Sequence, residues 1–189
     1  QYDGKLFTQH LSDVGKMYED GQQHNIVLSI VEDLKGNLWF TSLSHGGVSV
    51  YDGKHFKHYI QELSDDFIRV AYCDSKGNIL IGTHGNRKGG LDRYDGEDFQ
   101  AFHKTNDGLS SNNVRWICED HKGEFWLGSG NSSLSIFDGE HFRVFKGNDG
   151  QEFDRITFVL EDTAHNIWFG NRSGLWKYDG EKVVEMTQR

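Results

Sequence analysis

Proline is absent from this 189-residue chain, and cysteine occurs only twice. Without proline every reversal has to be made by Gly, Asn, Asp or Ser, and glycine is frequent at 23 residues. Two cysteines cannot build a disulfide scaffold. Cys73 and Cys118 stand one and two residues before an aspartate, and strand alternation turns them to opposite faces, so the redox compartment stays open. Apolar runs are short, and none approaches the ~20 residues that span a bilayer. Basic residues, 20 in all, are outnumbered by 29 acidic ones. A net charge of −9 supplies no basic face for phosphates, which argues against a nucleic-acid partner. No signal peptide is visible. The chain opens at Gln1 inside a repeat, and it is expected to be a piece of a longer protein.

What the chain has in quantity is aromatic residues, 13% of the total, set in a repeat. Residues 114–145 hold four short apolar runs separated by turn residues, and each run reads as a strand. Asp33, Asp74, Asp120 and Asp162 stand six residues before Trp39, Leu80, Trp126 and Trp168. Each of these is followed by an aromatic-Asp-Gly triplet ending at Gly53, Gly96, Gly139 or Gly180, at spacings of 43, 43 and 41 residues. A period near 40 with four strands per unit is the pattern of propeller blades. The predicted fold is all-β. Four complete blades of four antiparallel strands span 26–59, 68–102, 114–145 and 156–187, and a leading half blade spans 1–10. The two chain ends duplicate each other, so an open arc of a larger propeller is expected.

The turns follow from chemistry. Asp-Gly favours hairpins whose glycine takes positive φ, which predicts that conformation at Gly53, Gly96, Gly139 and Gly180 in two-residue turns. The other hairpin carries Gly36, Gly77 and Gly123 in three repeats. In the fourth, His165 or Asn166 has to tolerate the left-handed region. The tryptophans at the repeat position are read as packing between blades. Burying a ring of this size removes ~150–250 Å² from water.

The pattern Val-x-x-Ile-x-Glu-Asp-x-x-Gly-x-x-Trp-x-Gly, then Gly-Leu-x-x-Tyr-Asp-Gly-x-x-Phe, resembles the two-component regulator propeller repeat. Residues 108–114, Gly-Leu-Ser-Ser-Asn-Asn-Val, resemble that family's Gly-Leu-Pro-Ser-Asn lead-in, with Ser110 where proline is usual. The resemblance implies a non-catalytic, ligand-sensing segment of a bacterial signalling receptor. It further implies a periplasmic or extracytoplasmic location, a glycan-derived ligand and a histidine kinase elsewhere in the parent protein. A protein–protein scaffold, and a propeller lyase or glycosidase, are the alternatives. The chain has fewer repeats than the family's usual ring.

Loops of varying length fall on one face, at 42–47, 83–90, 128–133 and 170–174, together with the linkers 61–67, 103–113 and 146–155. Variable loops on a rigid scaffold are where recognition sits. The first strand of each blade starts there and lines the central channel. The candidate ligand residues are Arg69, Arg115, Trp116, Thr157 and Phe158, with His84 and Arg172 in neighbouring loops. Arginine offers a fixed fork to carboxylate or hydroxyls, and tryptophan stacks on rings. Set against this is pairing of both arginines with Asp65, Asp66 or Asp154. The histidines show no ligand spacing in sequence, and His55 and His58 point apart on an outer strand, so no metal is expected. The repeated Glu-Asp pairs are read as turn caps and not as acid–base catalysts. No cofactor is expected. Expected partners are an oligosaccharide or other small molecule, and further blades or self-association. Nucleic acid and membrane contact are not expected.

Overall fold

The structure, a computed structural model, describes residues 26–43, 46–85 and 88–187. The half blade expected over 1–10 lies outside these residues. Four sheets of four antiparallel strands follow one another. The first holds β1 (Ile26–Glu32), β2 (Leu38–Leu43), β3 (Val48–Tyr51) and β4 (Phe56–Tyr59). The second holds β5 (Ile68–Cys73), β6 (Ile79–Thr83), β7 (Leu91–Tyr94) and β8 (Phe99–Phe102). The third holds β9 (Val114–Glu119), β10 (Phe125–Ser129), β11 (Ser135–Phe137) and β12 (Phe142–Val144). The fourth holds β13 (Phe158–Glu161), β14 (Ile167–Asn171), β15 (Gly174–Tyr178) and β16 (Val183–Glu185). One helical turn, α1 (Lys104–Asp107), lies in the linker before the third blade. Strand order is sequential in every sheet, and β1 packs on β5, β5 on β9 and β9 on β13. Among the described residues the sheets form an arc that does not close.

Three hydrophobic clusters hold the arc together, one at each interface between blades. Each follows one recipe. A residue of the second strand meets an aromatic in or just after its own fourth strand and one from the third strand of the next blade. Trp39 packs with Tyr59 and Tyr94, and Trp126 with Phe145 and Tyr178, at centroid distances of 4.8–5.9 Å. At the middle interface Leu80 replaces the indole, and Phe102 meets Phe137 at 4.9 Å.

The aspartate six residues upstream explains the spacing. Asp120 Oδ1 accepts the backbone N–H groups of Lys122 and Glu124, while Oδ2 accepts the Trp126 indole N–H at 2.9 Å. Asp33 and Asp162 do the same for Trp39 and Trp168. One carboxylate therefore caps the turn and satisfies the donor of the indole. At Asp33 burial acts to raise the pKa, but the bonds from Trp39 and Asn37 outweigh it and hold the carboxyl below its ordinary value. Asp162 is held far below it, mainly by Trp168 and Asn166.

Gly53, Gly96, Gly139 and Gly180 all have positive φ, between 94° and 106°. The loops they sit in hold four residues, not the expected two, because Tyr51 pairs with Phe56 and Tyr94 with Phe99. Asp52 Oδ1 accepts the N–H groups of Lys54 and His55, which needs the longer loop. In the other hairpin, His165 takes the left-handed conformation at φ 63°, where Gly36, Gly77 and Gly123 take it in the other blades. The linkers are pinned by the buried side chains of Leu63, Leu109 and Phe153.

Candidate ligand groove

The innermost strands open with a local irregularity. In β1 the pairing steps from Val27 to Ser29, in β5 from Ile68 to Val70 and in β9 from Val114 to Trp116. The residues skipped are Leu28, Arg69 and Arg115. Each is the extra residue of a β-bulge, which re-aims a side chain out of the alternating pattern. The sequence held the signal for this, since all three stand five residues before their repeat's aspartate. Thr157 holds the same place in the fourth blade.

The bulges bring Arg69, Arg115 and Trp116 to one groove of about 480 Å³, walled by Leu28, Ser29, Val70, Ile117 and Val159. Arg69 is half-buried. Its Nε is buried and has no hydrogen-bond partner among the described residues. Burial, and then the like charge of Arg115, push its pKa down. The Arg115 Nε donates to Asn113 Oδ1 at 3.1 Å, and its guanidinium lies against Gly130, where an added Cβ would stand 2.3 Å from Cζ. Trp116 donates its indole N–H to the Val159 carbonyl at 2.7 Å and is 41% exposed. Of the acids weighed as partners, Asp154 lies by another arginine. Arg115 binds an amide, and Asp154 stands 3.8 Å from Arg155.

The other candidates lie elsewhere. Thr157 Oγ1 donates to the Gly170 carbonyl at 3.2 Å, and the Phe158 ring packs against Gly170. The His84 ring lies tilted to Phe67 at 6.2 Å, and its backbone N–H donates to the Phe67 carbonyl. Arg172 is exposed in the β14–β15 turn. Arg87, the neighbour of Lys88 in the 83–90 loop, lies outside the described residues.

At the hairpin end, the expectation that the histidines do not gather is overturned. His121 and His165 come from neighbouring blades, and their rings lie 4.2 Å apart beside Glu161. Spacing along the chain could not show this, because 44 residues separate them. Of the other pair, His58 meets Ser49 Oγ at 2.8 Å and His55 lies near Asp52.

A family model described as two component regulator propeller matches residues 108–131, the lead-in and opening strands of the third blade. The chain carries a two-component regulator propeller repeat at residues 108–131. It is 26% identical over 155 residues to histidine kinase P4 of Formosa agariphila, covering 75% of this chain and 11% of that one. An extracellular domain assigned to a hybrid two component system of B. thetaiotaomicron superposes with a TM-score of 0.72 at 27% identity, covering 87% of this chain and 23% of that domain. Virginiamycin B lyase from Staphylococcus aureus, solved with quinupristin, shares the fold alone, at 13% identity and a TM-score of 0.67 over 86% of this chain and 55% of the lyase. The chain thus spans about a tenth of the matched kinase and about a quarter of the matched extracellular domain. A sensory or signalling role is the reading these matches support.

Proposed function

We propose that this chain is a non-catalytic, ligand-sensing propeller segment of a bacterial signalling receptor, working outside the cytoplasm. Its ligand is an anionic saccharide held in the Arg69–Arg115–Trp116 groove. The observation that carries this reading is the buried Arg69 Nε that lacks a partner, set beside a second guanidinium. A buried donor left unpaired is costly, and two like charges repel. A carboxylate between them relieves both, and it accepts two parallel bonds from an arginine fork. The exposed Trp116 surface offers a sugar ring an apolar platform. The likeness to a histidine kinase and to an extracellular domain supports the signalling context. Among the described residues the groove is lined by no carboxylate or histidine, and a glycosidase uses a carboxylate pair.

Thermal-shift and calorimetric screening of neutral and uronic-acid oligosaccharides tests the reading. Uronic-acid ligands should bind and neutral ones should bind less well. Arg115→Ala should weaken binding at least tenfold and move Tm little. Binding unchanged in both Arg69→Ala and Arg115→Ala, or no response to any saccharide, overturns it.

A further inference from the structure

The hairpin end of the arc carries a second constellation, remote from the groove and independent of the reading above. The same locus recurs at each interface. The residue after the repeat's aspartate in one blade meets, in the next blade, the residue before its aspartate and the residue three after it. At the first interface the trio is Leu34, Cys73 and Gly77. Leu34 Cδ1 would lie 3.2 Å from a Cβ on Gly77, and its backbone N–H meets the Cys73 sulfur. At the second it is Ser75, Glu119 and Gly123, where Ser75 Oγ and N–H both donate to the Glu119 carboxylate, at 2.6 and 2.8 Å. At the third interface all three positions carry metal-ligating groups: His121, Glu161 and His165.

We propose that His121, Glu161 and His165 form a binding site for a zinc-class divalent cation that ties the third blade to the fourth. One ligand atom from each residue lies within 4.8 Å of the others. His121 Nδ1 stands 2.5 Å and His165 Nδ1 3.3 Å from Glu161 Oε1. Ligands at ~2.0–2.2 Å from a tetrahedral zinc stand ~3.3–3.4 Å apart, so the His165–Glu161 pair already has the required separation. The His121 ring needs only to swing outward. Two imidazoles and one carboxylate leave a fourth position to water, and imidazole selects zinc and its transition-metal neighbours over calcium or magnesium. The side chains are open enough for an ion to enter, at 38% exposure for His121 and 59% for His165.

The backbone supplies a second line of support. His165 sits at φ 63°, at a turn position that is glycine in the three preceding blades. A side chain there is disfavoured by the turn itself, and histidine is not required to make the hairpin. What the imidazole adds is contact with Glu161 and His121 across the interface.

This geometry also provides a clean variant. His165→Gly restores the residue used by the sister turns, so it should fold at least as well as the parent while losing one ligand. The test is isothermal titration of tag-free, chelator-treated protein with zinc chloride, run in parallel with thermal melts. The parent should bind one ion saturably and melt at a higher temperature with zinc. His165→Gly and His121→Ala should each weaken that binding at least tenfold and abolish the zinc-dependent shift, with His165→Gly keeping or raising the metal-free Tm. No saturable binding overturns the proposal. So does binding that both variants leave unchanged, since the ion would then sit on other histidines.

Discussion

Trp126 and Trp168 occupy the same register, and each donates its indole N–H to the aspartate six residues before it. Trp126 is 2% exposed, whereas Trp168 is only half-buried. The difference is their surroundings. Trp126 lies under Tyr178 of the following blade and against Phe145 of its own. For Trp168 the described residues include no following blade, and Met186, itself exposed, stands where Phe145 stands in the third blade. The contrast runs through whole strands. β11 is buried throughout, while every residue of its counterpart β15 is half-buried. The repeat therefore determines which residue faces the interface, and the neighbour determines what that residue contributes.

The largest test of this comparison is truncation of the two indoles. Trp126→Ala should destabilise by about 3–5 kcal/mol, the usual range for emptying a covered aromatic site. Trp168→Ala should cost less than half as much. Urea unfolding of both variants reads the difference, and equal losses would mean that coverage by the next blade contributes little.

A methyl group placed at the seam gives a smaller effect of the same kind. Gly128, two residues after Trp126, lies so close to the fourth blade that an added Cβ would stand 2.8 Å from the Ile156 carbonyl oxygen. At Gly170, the same position in the last blade, the nearest atoms belong to the Phe158 ring, which can turn aside. Gly128→Ala should cost about 1–3 kcal/mol by overpacking, and Gly170→Ala less. Melting temperatures of the pair check the order.

A pH-dependent effect concerns a carboxylate that is covered instead of open. Asp92, fully buried, accepts the backbone N–H and hydroxyl of Ser64 through Oδ2. Burial pushes its pKa up to about 6, against the lowering effect of Ser64. The sign is opposite to that of the turn aspartates. Asp33 and Asp162 add stability above the ordinary carboxylate pKa near 3.9, and it is lost as pH falls through their depressed values. Asp92 binds its proton more tightly in the folded chain. Stability should therefore rise as pH falls from above 6 to about 4, by up to about 3 kcal/mol. Asp92→Asn should flatten that rise, as read by urea unfolding at pH 7 and pH 4.5. An unchanged rise would place its origin in another group.

Much of this fold is legible in the sequence because it repeats. The aspartate-to-tryptophan spacing and the aromatic-Asp-Gly triplets predict what is found. The turn length is not legible, because it depends on which backbone N–H groups Asp52 and its counterparts recruit. The groove is half legible. Arg69, Arg115 and Trp116 stand out by chemistry, but Thr157 and Phe158 share their register without facing the same space. The bulges decide that, and they appear only once pairing partners are known. The cluster at the hairpin end is the least legible. His121 and His165 meet only because two blades stack, and no window along one blade contains both.

The pairing of each blade with its immediate neighbours alone has a mechanical consequence. No element of the first sheet packs substantially on the third or fourth. Such an array behaves as a string of coupled units whose stability is a sum of unit and junction contributions. A lesion at one junction then cuts the string at that point and leaves the pieces on either side folded. Strain applied at one end is passed on through a single junction at a time, so the weakest junction sets how far a disturbance travels. Among the three junctions here, the one between the third and fourth blades is the one where a bound ion would change that reach.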